Sequence, residues 1–172
     1  MDGTGTDGTG TRGGTRLPAG ECRARLRAAR HGYLATTGSD GWPHVVPVTF
    51  ALLRAPGPGG PPGWDVVSAV DHKPKTTTAL RRLRNLAENP RAAVLVDAYD
   101  DDWDRLWWVR VDGTARVEHA DGPDPAAFEA GLDALADRYP QYAARRPDGP
   151  LVRLRAVRWR GWSAQGATPA AR

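Results

Sequence analysis

The sequence predicts a mainly β, α+β chain in which six antiparallel strands close into a barrel with helices at its periphery. Three observations lead there. Six runs rich in Val, Leu, Ala and Trp are separated by turn formers. Helical periodicity is confined to a few short stretches between them. A sheet of six strands with so few helices to cover it removes its edges by closing on itself.

Taken in order, "ECRARLRAARHG" (21–32) places Cys22, Leu26 and Ala29 at helical spacing among arginines, with Gly32 as the expected stop. "YLATT" (33–37) and "WPHVVPVTFALL" (42–53) flank a Ser39-Asp40-Gly41 turn and form a β-hairpin. The turn formers of 54–63 lead into a third strand, "WDVVSAV" (64–70). "KTTTALRRLRNLAENP" (75–90) sets Leu80, Leu83 and Leu86 on one helical stripe and stops at Asn89-Pro90. "RAAVLVDAY" (91–99) and "LWWVRVDGTARVE" (106–118) are strands joined by the acidic "DDDWDR". Asp124 caps a helix over 123–140 whose first turn holds Pro125, and "LVRLRAVRWRGWSA" (151–164) is the closing strand.

At 172 residues the chain suits one domain. The Gly/Thr-rich residues 1–16 and the final 167–172 are expected as disordered tails around a single domain at 17–166. No window approaches the roughly 18 apolar residues of a membrane span, and the first residues lack the apolar stretch of a secretory signal. The expectation is a soluble, cytoplasmic protein with no membrane partner. Cys22 is the sole cysteine, and His31, His44, His72 and His119 are scattered, so neither a disulfide nor a metal site is expected. A net charge of +4 raises the question of nucleic acid, but the arginines run through the whole chain among acids instead of forming one footprint.

Candidate site residues emerge from departures in local pattern. Pro47 interrupts a Val-rich strand and removes a ladder donor, which marks an edge or a bulge. Such an edge suits a flat heterocycle; it also serves simply to prevent aggregation. Both lysines of the chain, Lys73 and Lys75, stand one residue apart in "VDHKPKTT", whereas every other basic side chain of the 24 is arginine. With Thr76 and Arg82 they gather where a strand ends and a helix begins, a place that favours a phosphate; a solvated basic turn is the alternative. Arg81 and Arg84 read more readily as solvated helix face. Trp107 and Trp108 are adjacent in a strand and point to opposite faces, so one indole needs a subunit or a ligand to cover it. Trp103, Trp159 and Trp162 read as core or interface.

The runs "GYLATTGSDGWPHVVPVTFAL", "DHKPKTTTALRRLRNLAENPRAAVLVDAY" and "DDDWDRLWWVRVDGTARV" resemble the pyridoxamine 5′-phosphate oxidase-like (PPOX class) split β-barrels, the FMN-binding split-barrel architecture. Within them the chain is similar to the actinobacterial flavin/deazaflavin oxidoreductases that use coenzyme F420. The resemblance implies a homodimer with a cofactor in each of two interface grooves and a small-molecule substrate. It implies that the backbone of His44, Val45, Val46, Pro47 and Val48 lies along the ring, and that Lys73, Lys75, Thr76 and Arg82 serve the phosphate. Trp107, Trp108 and Arg110 fall where flavin enzymes of the superfamily use Gln and Arg against the partner's cofactor; this departure favours F420 over FMN. The implied activity is F420-dependent hydride transfer, with an FMN- or haem-binding protein and a non-enzymatic nucleic-acid binder as the rival readings. Tyr99, His44 or a water could donate a proton, and no residue is assigned as catalytic.

Overall fold

Alternation in the strand-forming runs resolves into one antiparallel sheet with helices on its flanks. The computed structural model describes residues 14–56, 62–70 and 80–165. In chain order the strands are β1 (Thr15–Arg16), β2 (Gly32–Thr37), β3 (Pro43–Val48), β4 (Ala51–Ala55), β5 (Gly63–Ala69), β6 (Arg91–Ala98), β7 (Trp107–Glu118) and β8 (Leu151–Ser163). The helices are α1 (Ala19–Ala28), α2 (Arg81–Glu88), α3 (Pro125–Arg138) and α4 (Pro140–Ala144). Neighbouring strands follow the order β3-β2-β6-β7-β8-β5-β4, and β1 pairs with β8. None of the helices among the described residues is long and apolar enough to cross a membrane.

Among the described residues the sheet therefore has eight strands where six were expected, and its ladder does not close. One extra strand arises because the run 42–53 is broken at Thr49-Phe50 into β3 and β4, which lie at opposite ends of the strand order. The break has a clear cause. The Tyr139 hydroxyl accepts from the Phe50 N–H at 3.1 Å and donates to the Phe50 carbonyl at 2.8 Å. Both ladder groups of Phe50 are thereby satisfied off the sheet. The Tyr142 hydroxyl bonds Thr49 Oγ1 at 2.7 Å and holds the other half of the corner. The second extra strand draws Thr15 and Arg16, expected in the tail, onto Ser163 and Trp162 of β8.

Helix boundaries follow the local signals only in part: Leu80 is extended and α2 starts at Arg81, residues 75–79 of the expected helix lie outside the described residues, and Pro140 opens a further helix, α4, that was not expected. Asp124 caps α3 by accepting from the Ala127 N–H at 3.0 Å, with Pro125 in the first turn, and α2 ends at Asn89. However, α1 stops at Ala28, and Gly32 opens β2 instead of closing the helix. A Cβ at Gly32 would lie 2.9 Å from the Leu95 carbonyl oxygen, so glycine serves a close strand approach there.

Two cores share the sheet. The larger joins Cys22 and Leu26 of α1 and Leu86 of α2 to Leu34, Val94, Val96, Val109 and Val111. The smaller packs Phe128, Leu132, Leu135, Tyr139 and Tyr142 against Ala51, Val67 and Leu151. Val66 and Val67 point to opposite faces of β5 and each enters a different core, which explains why this strand is apolar on both faces. A bulge inserts Val157 into β8 opposite Asp112-Gly113. A Cβ on Gly113 would sit 2.1 Å from the Arg155 carbonyl oxygen, so this crossing requires glycine.

Candidate functional site

The Ser39-Asp40-Gly41 turn, with Gly41 at φ 73°, sets β3 antiparallel to β2 from Thr37↔Pro43 to Gly32↔Val48. Among the described residues β3 pairs with β2 alone, so it is an edge strand and accommodates Pro47 without losing a central ladder bond. Its side chains alternate: His44, Val46 and Val48 are half-buried, whereas Val45 is 58% exposed and Pro47 is also exposed. Val46 and Val48 pack against the larger core and fix the strand's tilt.

Helix α2 is latched beside this hairpin. Glu88 accepts from the N–H and hydroxyl of Ser39, both at 2.8 Å, and Arg81 pairs with Asp40 at 3.1 Å. Beneath them the buried Asn85 donates to Thr36 Oγ1 at 3.1 Å. The two Ser39 hydrogen bonds hold the Glu88 carboxyl below its ordinary pKa. This arrangement brings His44 into the field of Arg81 and Arg82. Burial first, then those two cations, push the His44 pKa below its ordinary value, so the ring is neutral at neutral pH. Its Nδ1 is buried and has no hydrogen-bond partner among the described residues. An open hollow of about 360 Å³ lies at the same hairpin end, lined by Thr36, Thr37, Gly41 and Pro43 with Arg91 and Ala92.

Of the residues singled out in the sequence, the structure thus groups His44, Val45, Val46, Pro47 and Val48 on one edge strand, with Arg82 close to His44. Lys73, Lys75 and Thr76 lie outside the described residues. Trp107 and Trp108 do point to opposite faces: Trp107 packs on the larger core with Arg25 5.0 Å above its ring. Trp108 faces outward opposite Trp162, and Arg110 pairs with Asp112 at 2.7 Å on that same outer face. A second hollow of about 330 Å³ is lined there by Arg16, Trp108, Arg160, Gly161 and Trp162. The register row Arg110–Leu95–Tyr33–Pro47 places Arg110 three strands from β3, about 14 Å across the sheet. Trp103 is 78% exposed in the β6–β7 connection and belongs to neither core.

The latch residues Asp40, Asn85 and Glu88 escaped the sequence reading. Their partners lie 41 to 49 residues away, and only the polar Asn85 on the buried side of α2 offered a sign. Among the described residues, no group of three His, Cys, Asp or Glu side chains forms a metal-ligand cluster.

Comparison with solved structures places this architecture among known proteins. A conserved hypothetical protein of Mycobacterium tuberculosis is 23% identical, with 87% of this chain and 86% of that one covered at a TM-score of 0.63. A FAD-binding protein of Mesorhizobium loti is 21% identical, with 87% and 96% covered at 0.62. A heme binding protein of Mycobacterium smegmatis is 31% identical over 86% of this chain but only 55% of its own length, at 0.54. No curated protein sequence gives a significant match. Residues 19–163 match the family model described as pyridoxamine 5′-phosphate oxidase, and the chain, with its open antiparallel sheet and flanking helices, belongs to that family.

Proposed function

We propose that this chain is an F420-dependent oxidoreductase that moves a hydride between the deazaflavin and a small organic substrate, with the cofactor along the free edge of β3. One observation carries the reading. The buried Nδ1 of His44, without a hydrogen-bond partner among the described residues, lies on an edge strand, in the field of two arginines at the start of α2. A buried polar atom without a partner is costly unless something meets it. A ring laid on the edge and an anionic group by the arginines fit both demands.

Bound there, the deazaflavin supplies two-electron hydride chemistry. The chain's own residues do the positioning. Val46 and Val48 anchor β3 to the core and leave its outer backbone groups for the ring. Arg81, tied to Asp40, fixes the first turn of α2, and Arg82 adds positive charge beside it. Lys73, Lys75 and Thr76 keep the phosphate-binding role that the resemblance implies. His44, neutral, is a hydrogen-bond partner for ring or substrate rather than a fixed charge.

The same geometry supports a homodimer. Trp108 and Arg110 lie about 14 Å from β3 within one chain, too far to touch a ring on its edge. A second copy could bring its own Trp108 and Arg110 over that ring, and the exposed apolar surface of Tyr33 and Val45 adjoins the same face. Solution mass at micromolar concentration tests this; a monomer removes the shared groove.

The cofactor is tested by titrating the protein with F420, FMN, FAD and haem side by side. Tightest binding of F420 is expected, weakened about ten- to a hundred-fold by Lys73→Ala or Lys75→Ala. A flavin enzyme is the second reading, favoured by the family description and by the FAD-binding name of the Mesorhizobium loti protein. FMN or FAD binding tighter than F420 would establish it and overturn the deazaflavin assignment.

A further inference from the structure

Many arginines in this chain are neutralised by a carboxylate. Arg25 pairs with Glu21, Arg81 with Asp40, Arg110 with Asp112 and Arg155 with Asp65. Arg23, Arg27 and Arg54 differ: among the described residues none of the three has an acidic partner, yet all three gather on one indole. Their guanidinium carbons lie 5.5, 4.6 and 4.9 Å from the centre of the Trp64 ring, and Arg23 also reaches 5.9 Å from that of Trp159. The three charges are therefore within about 10 Å of one another, a separation at which ordinary salt does not fully screen repulsion.

The assembly comes from three elements. Arg23 and Arg27 are one turn apart on α1, and Arg54 of β4 stands directly opposite Trp64 of β5. Nearby acids are already committed. Glu21 of α1 holds Arg25, and Asp65, next to Trp64 but on the opposite face of β5, holds Arg155 and Arg153. Attraction to the indole quadrupole keeps the three guanidiniums together despite their repulsion. A guanidinium over an aromatic face still presents its in-plane N–H groups, the edge that grips phosphate two bonds at a time.

We propose that Arg23, Arg27 and Arg54, assembled on Trp64, form a binding site for an oligophosphate group, separate from the β3 edge. Three uncompensated charges call for a ligand of matching charge, which a monoanion does not supply. Holding the arginines on the indole before the ligand arrives reduces the ordering cost of binding. Free oligophosphate and the phosphate chain of a nucleotide share this chemistry.

The test is calorimetric titration of the full chain with inorganic tripolyphosphate and with adenosine triphosphate, at fixed ionic strength. Both Arg27 and Arg54 are exposed, so Arg27→Gln and Arg54→Gln should fold, which a thermal melt verifies. One saturable site is expected, weakened at least tenfold by either substitution and changed less than twofold by Arg145→Gln, which removes the same charge from an exposed position after α4. Tighter binding of tripolyphosphate would assign free oligophosphate, and tighter binding of the nucleotide would assign a nucleotide, both at this site. Absence of saturable binding, or an equal loss in Arg145→Gln, would overturn the proposal. So would a loss produced by Arg82→Gln but not by Arg27→Gln, since the anion would then sit at the β3 edge. F420 affinity is measured in Arg27→Gln and Arg54→Gln and should not change, so failure of this site and failure of the cofactor reading remain distinguishable.

Discussion

Strands β3 and β8 are built on opposite principles. The thirteen residues of β8 pair with β7 along their length, with β5 at the start and with β1 at the end. Its first residues, Leu151 and Val152, enter different cores. It also carries a buried arginine: Arg153, 4% exposed, donates to both oxygens of Glu118 at 2.8 and 2.9 Å and lies 3.5 Å from Asp65. The six residues of β3, by contrast, pair with β2 alone among the described residues, and every second side chain faces solvent. The difference teaches where this fold places its stability and where it keeps backbone available. An edge strand can leave ladder groups free only because the far side of the sheet is fixed several times over.

The largest way to break that contrast is to remove Arg153. Arg153→Met keeps much of the side-chain volume but leaves Asp65, 2% exposed, and Glu118 with one guanidinium fewer each. It also frees the Ala127 carbonyl to which Arg153 donates at 2.6 Å, loosening α3 from the sheet. Losing one partner of a buried charge network costs about 3 to 5 kcal/mol. For a domain of this size that is a fall in Tm of roughly 6 to 20 °C. Ligand affinity at β3 should be unchanged while the protein remains folded. A melting temperature within about 2 °C of the parent would show that β8 is not the anchor described.

A smaller effect is expected at the corner that makes β3 an edge at all. Tyr139→Phe leaves the Phe50 N–H and carbonyl without their hydroxyl partner in a buried setting, at a cost of about 1 to 3 kcal/mol. Tyr142→Phe removes a bond to a half-buried threonine hydroxyl that water can replace, and should cost less than about 1 kcal/mol. Urea unfolding of the pair reads the difference. Equal losses would mean that the corner is held by ring packing and not by the Phe50 backbone bonds.

That corner also marks the limit of what the sequence makes legible. Features set within a few residues were readable: the Asp124-Pro125 start of α3, the Gly41 turn, the stop at Asn89 and the opposite facing of Trp107 and Trp108. The edge character of β3 was readable because proline carries its reason in its own chemistry. The division of 42–53 into two strands was not, since Tyr139 lies 89 residues from Phe50 and Val-Thr-Phe-Ala is good strand sequence. Nor was the length of α1, because "AARHG" offers both a helix end and a strand start, and close approach to β6 decides for the strand at Gly32. At the site, residue types were legible but their grouping was not. The pairing of Arg81 with Asp40 spans 41 residues, and the inward turn of Trp107 under Arg25 depends on α1 docking.

The finest expected effect sharpens the comparison through pH. Because burial and the two arginines lower the folded pKa of His44, the unfolded chain protonates this histidine first as pH falls. The unfolded state then binds more protons, so stability declines as pH drops below the ordinary histidine value of about 6.5 and levels off below the folded pKa. His44→Gln, which keeps a polar head without a titrating proton, should remove this contribution and flatten the change in Tm between pH 7.5 and 5.5. An anion bound beside Arg81 and Arg82 should act in the opposite sense, offsetting their charge and raising the His44 pKa. Proton resonances of the His44 ring, followed through a pH titration with and without F420, report both effects on one group. A pKa that stays lowered by the same amount when the cofactor binds would place its phosphate away from α2 and leave the free edge of β3 without its ligand.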